Sequence, residues 1–268
     1  MEGNNEYIIP KPKSTESESD TKNYGKNITS VFDKIKLALL PLIYTKKDEN
    51  DSFFLDLYHR FAGILEIIGY PSLNRHQSFF IKEVQNSYIR TKNSRVLLCG
   101  AMSPISIVQA LQIMKKAGIE NGHLVVIDIS STPYKSADKL LQEIAKRANI
   151  KLDFKKDDVR THIPNIGSYG TIIADQVFNF IDPTEWDNII NHLVNITQKN
   201  GSFINIIAMP RGRNKELIDG IQQTYRPSVL KLRPKITYLY SQLTNMVNEQ
   251  VSFIFSGRNP KNSEGEII

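Results

Sequence analysis

The sequence predicts a doubly wound α/β fold in which helices cover both faces of a mostly parallel sheet. Beyond about residue 93, short runs that are almost wholly apolar alternate with amphipathic stretches of helical spacing. Strands that are apolar on both faces are typical of parallel sheets, because helices bury each face. Pro104, Pro133 and Pro183 also stand at the predicted helix starts, where a missing N–H costs no hydrogen bond.

The apolar runs and the stretches between them define the elements in order. Apolar residues at helical spacing predict three helices before the first strand, at 28–43, 51–68 and 71–90. Strands are predicted at 96–99, 124–129, 151–154, 171–174 and 202–208, with helices at 104–117, 133–148 and 183–198. After Met209 the pattern weakens, and it predicts helices at 217–225 and 239–247 and a last strand at 251–255.

Composition divides the chain into four parts. Residues 1–25 are polar and lack apolar periodicity, which predicts a flexible tail. We predict an N-terminal helical lid over 26–92, the α/β core over 93–258 and a polar C-terminal tail over 259–268.

Length and composition set the broad class of protein. With 268 residues, 40% of them hydrophobic, the chain can bury a large core. Its longest apolar runs, such as 37–44, fall short of the roughly 18 to 20 residues of a membrane span, so we expect no membrane partner. The chain opens without an apolar signal core, so the cytoplasm is the expected location. The single cysteine, Cys99, lies in an apolar run, so we expect neither an internal disulfide nor a metal site.

Acidic residues follow three of the predicted strands. In a doubly wound sheet the ligand lies beyond the carboxyl ends of the strands. Gly100 follows the first predicted strand and comes shortly before the helix start at Pro104. Asp128 follows the second strand, where it can accept hydrogen bonds from both hydroxyls of a ribose; the alternative is a cap for the helix near Pro133. Asp158 follows the third strand and Asp175 the fourth, and either carboxylate can accept a hydrogen bond from the amine of an adenine. Together these positions describe a site shaped for adenosine.

The residues from 95 to 209 resemble the core of the class I S-adenosylmethionine-dependent methyltransferases, which has a Rossmann-like fold. The stretches "VLLCGAMSP", "VVIDIS", "KKDDV", "YGTIIADQVFNFID" and "KNGSFINIIAM" are similar to motifs I to V of that family. The first motif departs from the pattern, since its usual acid is Leu98 and its second and third glycines are Met102 and Pro104. The resemblance implies S-adenosyl-L-methionine as the cofactor.

The resemblance also implies roles for individual residues. Gly100, Ala101 and Ser103 would form the turn against the methionine part of the cofactor. Asp128 would bind the ribose with Ile129 against the adenine, and Asp158 and Val159 would meet the adenine amine and ring. Ala174 and Asp175 would line the methyl-transfer end.

Other cofactors fit the same turn poorly. A nicotinamide fingerprint starting at Gly100 would need glycine at Met102 and Ile105, because close approach of the pyrophosphate depends on the missing side chains. A Walker phosphate loop is also absent from the sequence. S-adenosylmethionine carries no phosphate, so a turn with fewer glycines can hold it.

Candidates on the substrate side are fewer. Asn179 follows Asp175 closely, and Arg75 and His76 lie in the predicted lid, with a surface polar pair as the alternative. His162 follows the third strand, where an exposed loop histidine is the commoner case. Methyl transfer requires mainly in-line alignment of the acceptor, so a base is optional.

Three functions remain open at this point. The first is O- or N-methylation of a small molecule. The second is a methyltransferase-like binding protein without activity, because the first motif is degenerate. The third is a nucleic-acid methyltransferase, because residues 211–235 carry seven basic residues against two acidic ones within a chain of net charge +6.

Overall fold

The computed structural model describes residues 27–46, 52–67, 73, 77–160, 168–210, 240–244 and 250–258. Several predictions lie outside these residues, namely those on Arg75, His76, His162, the helix at 217–225, the basic segment 211–235 and both terminal tails.

Three helices precede the sheet, as the sequence predicts: α1 (Val31–Ile43), α2 (Phe53–Ile67) and α3 (Gln77–Thr91). The start of α1 is fixed by a capping box. The Ser30 hydroxyl accepts the Asp33 N–H at 3.0 Å, and the Asp33 carboxylate accepts the Ser30 N–H at 3.0 Å. The third helix begins at Gln77 rather than just after Pro71.

The core is a seven-stranded sheet of order β3-β2-β1-β4-β5-β7-β6. Strands β1 to β5 pair in parallel, whereas β7 runs antiparallel between β5 and β6. The doubly wound α/β prediction is therefore confirmed, and strand order reverses between β1 and β4. The strands are β1 (Arg95–Cys99), β2 (Gly122–Asp128), β3 (Ile150–Lys156), β4 (Tyr169–Asp175), β5 (Thr197–Pro210), β6 (Tyr240–Thr244) and β7 (Gln250–Arg258).

Two predicted helices differ in the structure. The helix expected at 133–148 is two helices, α5 (Thr132–Lys135) and α6 (Asp138–Ala148), because the backbone of Ala137 leaves helical geometry at φ −132°. The helix expected at 239–247 is wrong over Tyr240–Thr244, which is β6. Backbone pairing with β7 overrides the local helical spacing there.

The remaining helices are α4 (Pro104–Lys116) and α7 (Trp186–Ile196), and 3₁₀ turns cover Val177–Phe180 and Pro183–Glu185. None of the described helices is long and apolar enough to cross a membrane.

Alternate residues of the central strands face two separate apolar layers. In β1, Leu97 packs with the layer that includes α7, whereas Leu98 packs with the layer that includes α3, α4 and α6. Leu98 is fully buried and pairs in register with Val126 and Ile173. The position where the family motif carries an acid is therefore a core position in this chain.

Candidate functional site

A cavity of about 260 Å³ lies at the carboxyl ends of β1, β2 and β4, with α2 forming one wall. This is the place where a doubly wound sheet binds its ligand. Ser103 and Ala174, two of the residues that the sequence assigns to the cofactor, are buried but do not contribute to its surface. Seven others line it: Gly100, Ala101, Asp128, Ile129, Asp158, Val159 and Asp175.

Gly100 has a positive φ of 80° and leaves no space for a side chain. A Cβ atom there would lie 2.3 Å from Val177 Cγ2 and 2.9 Å from the carbonyl oxygen of Asp175. The turn after β1 therefore packs against the end of β4, and glycine is required at this position.

Gly100→Ala is expected to lower the free energy of unfolding by about 2 kcal/mol, because it combines backbone strain with a steric clash. Gly118→Ala is a matched control, since Gly118 has φ 78° but no atom within 4 Å of the added Cβ. Urea denaturation should show a loss about twice as large at Gly100 as at Gly118. Equal losses in the two variants would mean that the close approach to β4 is unimportant.

Asp128 ends β2 and holds the turn after β1. Its Oδ2 accepts the backbone N–H of Ala101 at 2.7 Å, and its Oδ1 accepts the N–H of Ser130 at 2.8 Å. The alternative was a helix cap, but α5 begins at Thr132, and the N–H groups of Ala101 and Ser130 that Asp128 accepts both lie before that helix. Asp128 is only 8% exposed, yet it borders the cavity.

His59 of α2 faces the same carboxylate, and sequence reasoning missed it. Its Nδ1 lies 3.0 Å from the carbonyl oxygen of Met102, which can only accept, so Nδ1 carries the proton. In the neutral ring Nε2 is therefore an acceptor. That atom is buried 4.0 Å from Asp128 Oδ1, and it has no hydrogen-bond partner among the residues that the structure describes. A hydroxyl group between the two side chains can contact both.

Asp175 places a carboxylate at the end of β4, and in the described part of the chain neither of its oxygens has a hydrogen-bond partner. It is 2% exposed, and burial raises its pKa to about 7. An unpaired buried carboxylate is unfavourable, so the site is complete only with a proton or a cation.

Glu66 lies beneath the turn and was also missed. Its Oε1 accepts the hydroxyls of Ser103 at 2.8 Å and Ser106 at 2.7 Å, and its Oε2 accepts the Gln109 amide at 3.2 Å. Burial raises its pKa to about 8; the serine hydrogen bonds oppose this shift, and the charge of Asp175 adds to it. The Ser103 hydroxyl also accepts the N–H of Ile105 at 3.0 Å, so it caps α4 and anchors α2 instead of facing the cavity.

Apolar side chains and an ion pair border the other end of the cavity. Val159 is buried and Ile129 is half exposed, so the two can flank a planar ring. Asp158 pairs with Arg160 at 2.7 Å, and this arginine holds the pKa of the Asp158 carboxyl below its usual value.

Two aromatic rings form another wall of the cavity. Tyr58 of α2 and Phe180 both line the cavity, and their rings meet edge to face at 5.7 Å. Asn179 lies in the 3₁₀ turn Val177–Phe180, close in sequence to Asp175. Among the described residues, no group of three His, Cys, Asp or Glu side chains is placed to hold a metal ion.

By sequence, the chain matches no protein-family model and no curated protein. By structure, it is similar to the N-methyltransferase NodS from Bradyrhizobium japonicum in complex with S-adenosyl-L-homocysteine, with a TM-score of 0.54 and 11% identity over 78% of this chain and 97% of that one. A putative sarcosine dimethylglycine methyltransferase from Galdieria sulphuraria gives a TM-score of 0.53 and 11% identity over 75% and 98%. A putative O-methyltransferase from Klebsiella pneumoniae gives a TM-score of 0.50 and 12% identity over 79% of this chain and 92% of that one. The chain therefore has the class I methyltransferase fold.

Proposed function

We propose that the protein is a methyltransferase that uses S-adenosyl-L-methionine to methylate an oxygen or nitrogen atom of a small molecule. The observation that carries this proposal is Asp175, a buried carboxylate in the cavity at the strand ends that has no hydrogen-bond partner among the described residues. The cofactor carries a sulfonium and an ammonium group, and either positive charge would satisfy this carboxylate.

The rest of the cavity supports the same cofactor. Asp128 and His59 present oxygen and nitrogen acceptors to the hydroxyls of a ribose, and Ile129 and Val159 provide apolar contacts for an adenine ring. The acids at Asp128 and Asp175 disfavour a phosphate at the same place, because like charges repel in a poorly solvated cavity. These features favour a cofactor that contains adenosine and a cation.

The chemical demands on the chain are modest. The bound cofactor supplies a methyl group already activated by its sulfonium. The chain's own residues hold the acceptor in line and exclude water. Tyr58 and Phe180 are placed to do so, and their rings favour an acceptor with an apolar or aromatic surface. We propose Asn179, Arg75, His76 and His162 as the residues to test for contacts with the acceptor.

Calorimetric titration with S-adenosyl-L-methionine and S-adenosyl-L-homocysteine tests the cofactor directly. We expect saturable binding of both, and a gain in unfolding free energy of about 2.7 kcal/mol at a concentration one hundred times Kd. NAD⁺ serves as the control, because it shares the adenosine but carries phosphates and should not bind. Absence of heat with both sulfur compounds would overturn the proposal.

A second function fits the same cavity, namely a cofactor-binding protein without turnover. The observation in its favour is Leu98, which leaves the first motif without its acid and lies in the core. Transfer of a labelled methyl group to any acceptor would exclude it. The domain limits and the cytoplasmic location stay predictions from the sequence.

A further inference from the structure

A second cavity of about 360 Å³ lies among α1, α2, α3 and α4. It shares no lining residue with the first cavity. Its volume is within the range of small-molecule sites, which is about 300 to 1,000 Å³.

Its walls combine apolar and polar side chains, and the apolar ones are partly open to solvent. Val31 is 76% exposed, Ile67 50% and Ile35 45%, and Val108 of α4 lies behind them, itself buried. Clustered apolar side chains with this exposure are unfavourable in water and are typical of a surface that receives a ligand.

Among the residues that the structure describes, this cavity is lined by a buried hydrogen-bond donor without a partner. Gln112 is 5% exposed, and its Oε1 accepts the backbone N–H of Ile28 at 2.7 Å. That bond fixes which end of the amide is oxygen, so Nε2 with its two N–H groups is the end left without a partner. Such a donor is costly to bury, and an acceptor atom of a ligand would satisfy it.

Two lysines line the same cavity as this donor. Lys116 lies one turn further along α4 and lines the same cavity, with its Nζ 3.2 Å from Gln77 Oε1. Lys34 of α1 also lines it. The acid in the lining, Glu66, is already engaged by Ser103, Ser106 and Gln109.

We propose that this second cavity binds a small amphipathic monocarboxylate. The carboxylate would accept hydrogen bonds from Gln112 Nε2 and lie near Lys34 and Lys116, while its apolar part would cover Val31 and Ile35. Two ammonium groups and an amide donor complement an anion and repel an amine of the same shape.

Sodium decanoate is the probe, titrated into the full chain by calorimetry, with decylamine and 1-decanol as head-group controls. We expect saturable binding of decanoate that is at least tenfold tighter than binding of either control. Gln112→Glu keeps the acceptor for the Ile28 N–H but replaces the donor with an anionic oxygen, so decanoate affinity should fall at least tenfold. Lys146→Met on α6, outside the lining, is the matched surface control and should leave affinity unchanged.

Three results would overturn the proposal: no saturable binding of decanoate, equal binding of the three head groups, or undiminished binding by Gln112→Glu. If Gln112→Glu does not fold, as judged by circular dichroism, the double variant Lys34→Met and Lys116→Met carries the same test. The double variant Lys34→Arg and Lys116→Arg keeps both positive charges, so binding of decanoate by this variant, but not by the methionine variant, would support the contribution of charge. The first cavity is not involved, so these outcomes are independent of cofactor binding.

Discussion

Asp175→Asn is expected to lower the affinity for S-adenosyl-L-methionine by at least one hundredfold while it stabilises the ligand-free protein at pH 8. The carboxylate of Asp175 is buried, and no described residue forms a hydrogen bond with either of its oxygens. In the free protein its ionisation costs folding free energy, but in the complex the same charge attracts the cationic cofactor. If Asp175 binds the cofactor, the variant loses affinity but gains stability. If Asp175 had only a structural role, affinity and stability would both fall.

The pH dependence has a defined sign. Burial raises the pKa of Asp175 to about 7 from the model-peptide value of 3.8. The stability associated with this carboxyl is fully present below pH 4 and is lost as pH rises toward 7, at up to about 1.4 kcal/mol per pH unit. Asp175→Asn should remove this part of the decline in the free energy of unfolding, as measured by urea denaturation between pH 4 and 8.

Affinity for the cationic cofactor should change in the opposite sense. Protons compete with the cofactor below pH 7, so affinity should rise with pH toward 7 by up to about tenfold per unit and level off above it. Asp175→Asn should also lower the pKa of Glu66, because the charge of Asp175 contributes to its upward shift. Asp182→Asn, an exposed position, is the control and should change neither property. A cofactor affinity that is the same at pH 6 and pH 8 would contradict this assignment.

The sequence predicted those parts of the site that depend on strand order. Asp128 and Asp175 end apolar runs, and parallel strands place their carboxyl ends at one edge of the sheet. The structure brings both to one cavity, together with Gly100 and Asp158. Local pattern was enough here because the alternation of strands and helices determines the geometry.

The contribution of α2 could not be predicted in this way. His59 and Glu66 lie more than thirty residues before the turn that they contact, in a helix whose apolar spacing indicates only burial. Their partners are a backbone carbonyl, two serine hydroxyls and the Gln109 amide, which carry no recognisable sequence signal. Two polar residues among the apolar side chains of this helix were the available clue, since buried polar residues require partners. The same limit applies to β6, where pairing with β7 decided the structure.

Asp128→Ala is expected to lower cofactor affinity at least one hundredfold and the free energy of unfolding by about 2 kcal/mol. The carboxylate accepts the N–H groups of Ala101 and Ser130, so its removal leaves two backbone donors unsatisfied and releases the turn after β1. The ribose of the cofactor would also lose its acceptor. Asp128→Asn should lose less affinity and less stability than Asp128→Ala but should not match the natural residue, because the amide offers one oxygen acceptor where the carboxylate uses two.

Asp153→Ala is the matched control for this variant. Asp153 lies on the neighbouring strand β3, contacts His123 at 2.7 Å and Lys151 at 2.8 Å, and does not line the cavity. These contacts are solvent-exposed, so its loss should cost less than about 1 kcal/mol and leave cofactor affinity unchanged. Calorimetry and urea denaturation of the three variants give both quantities. If Asp128→Ala loses stability but keeps its affinity, Asp128 supports the turn alone and the ribose is bound elsewhere.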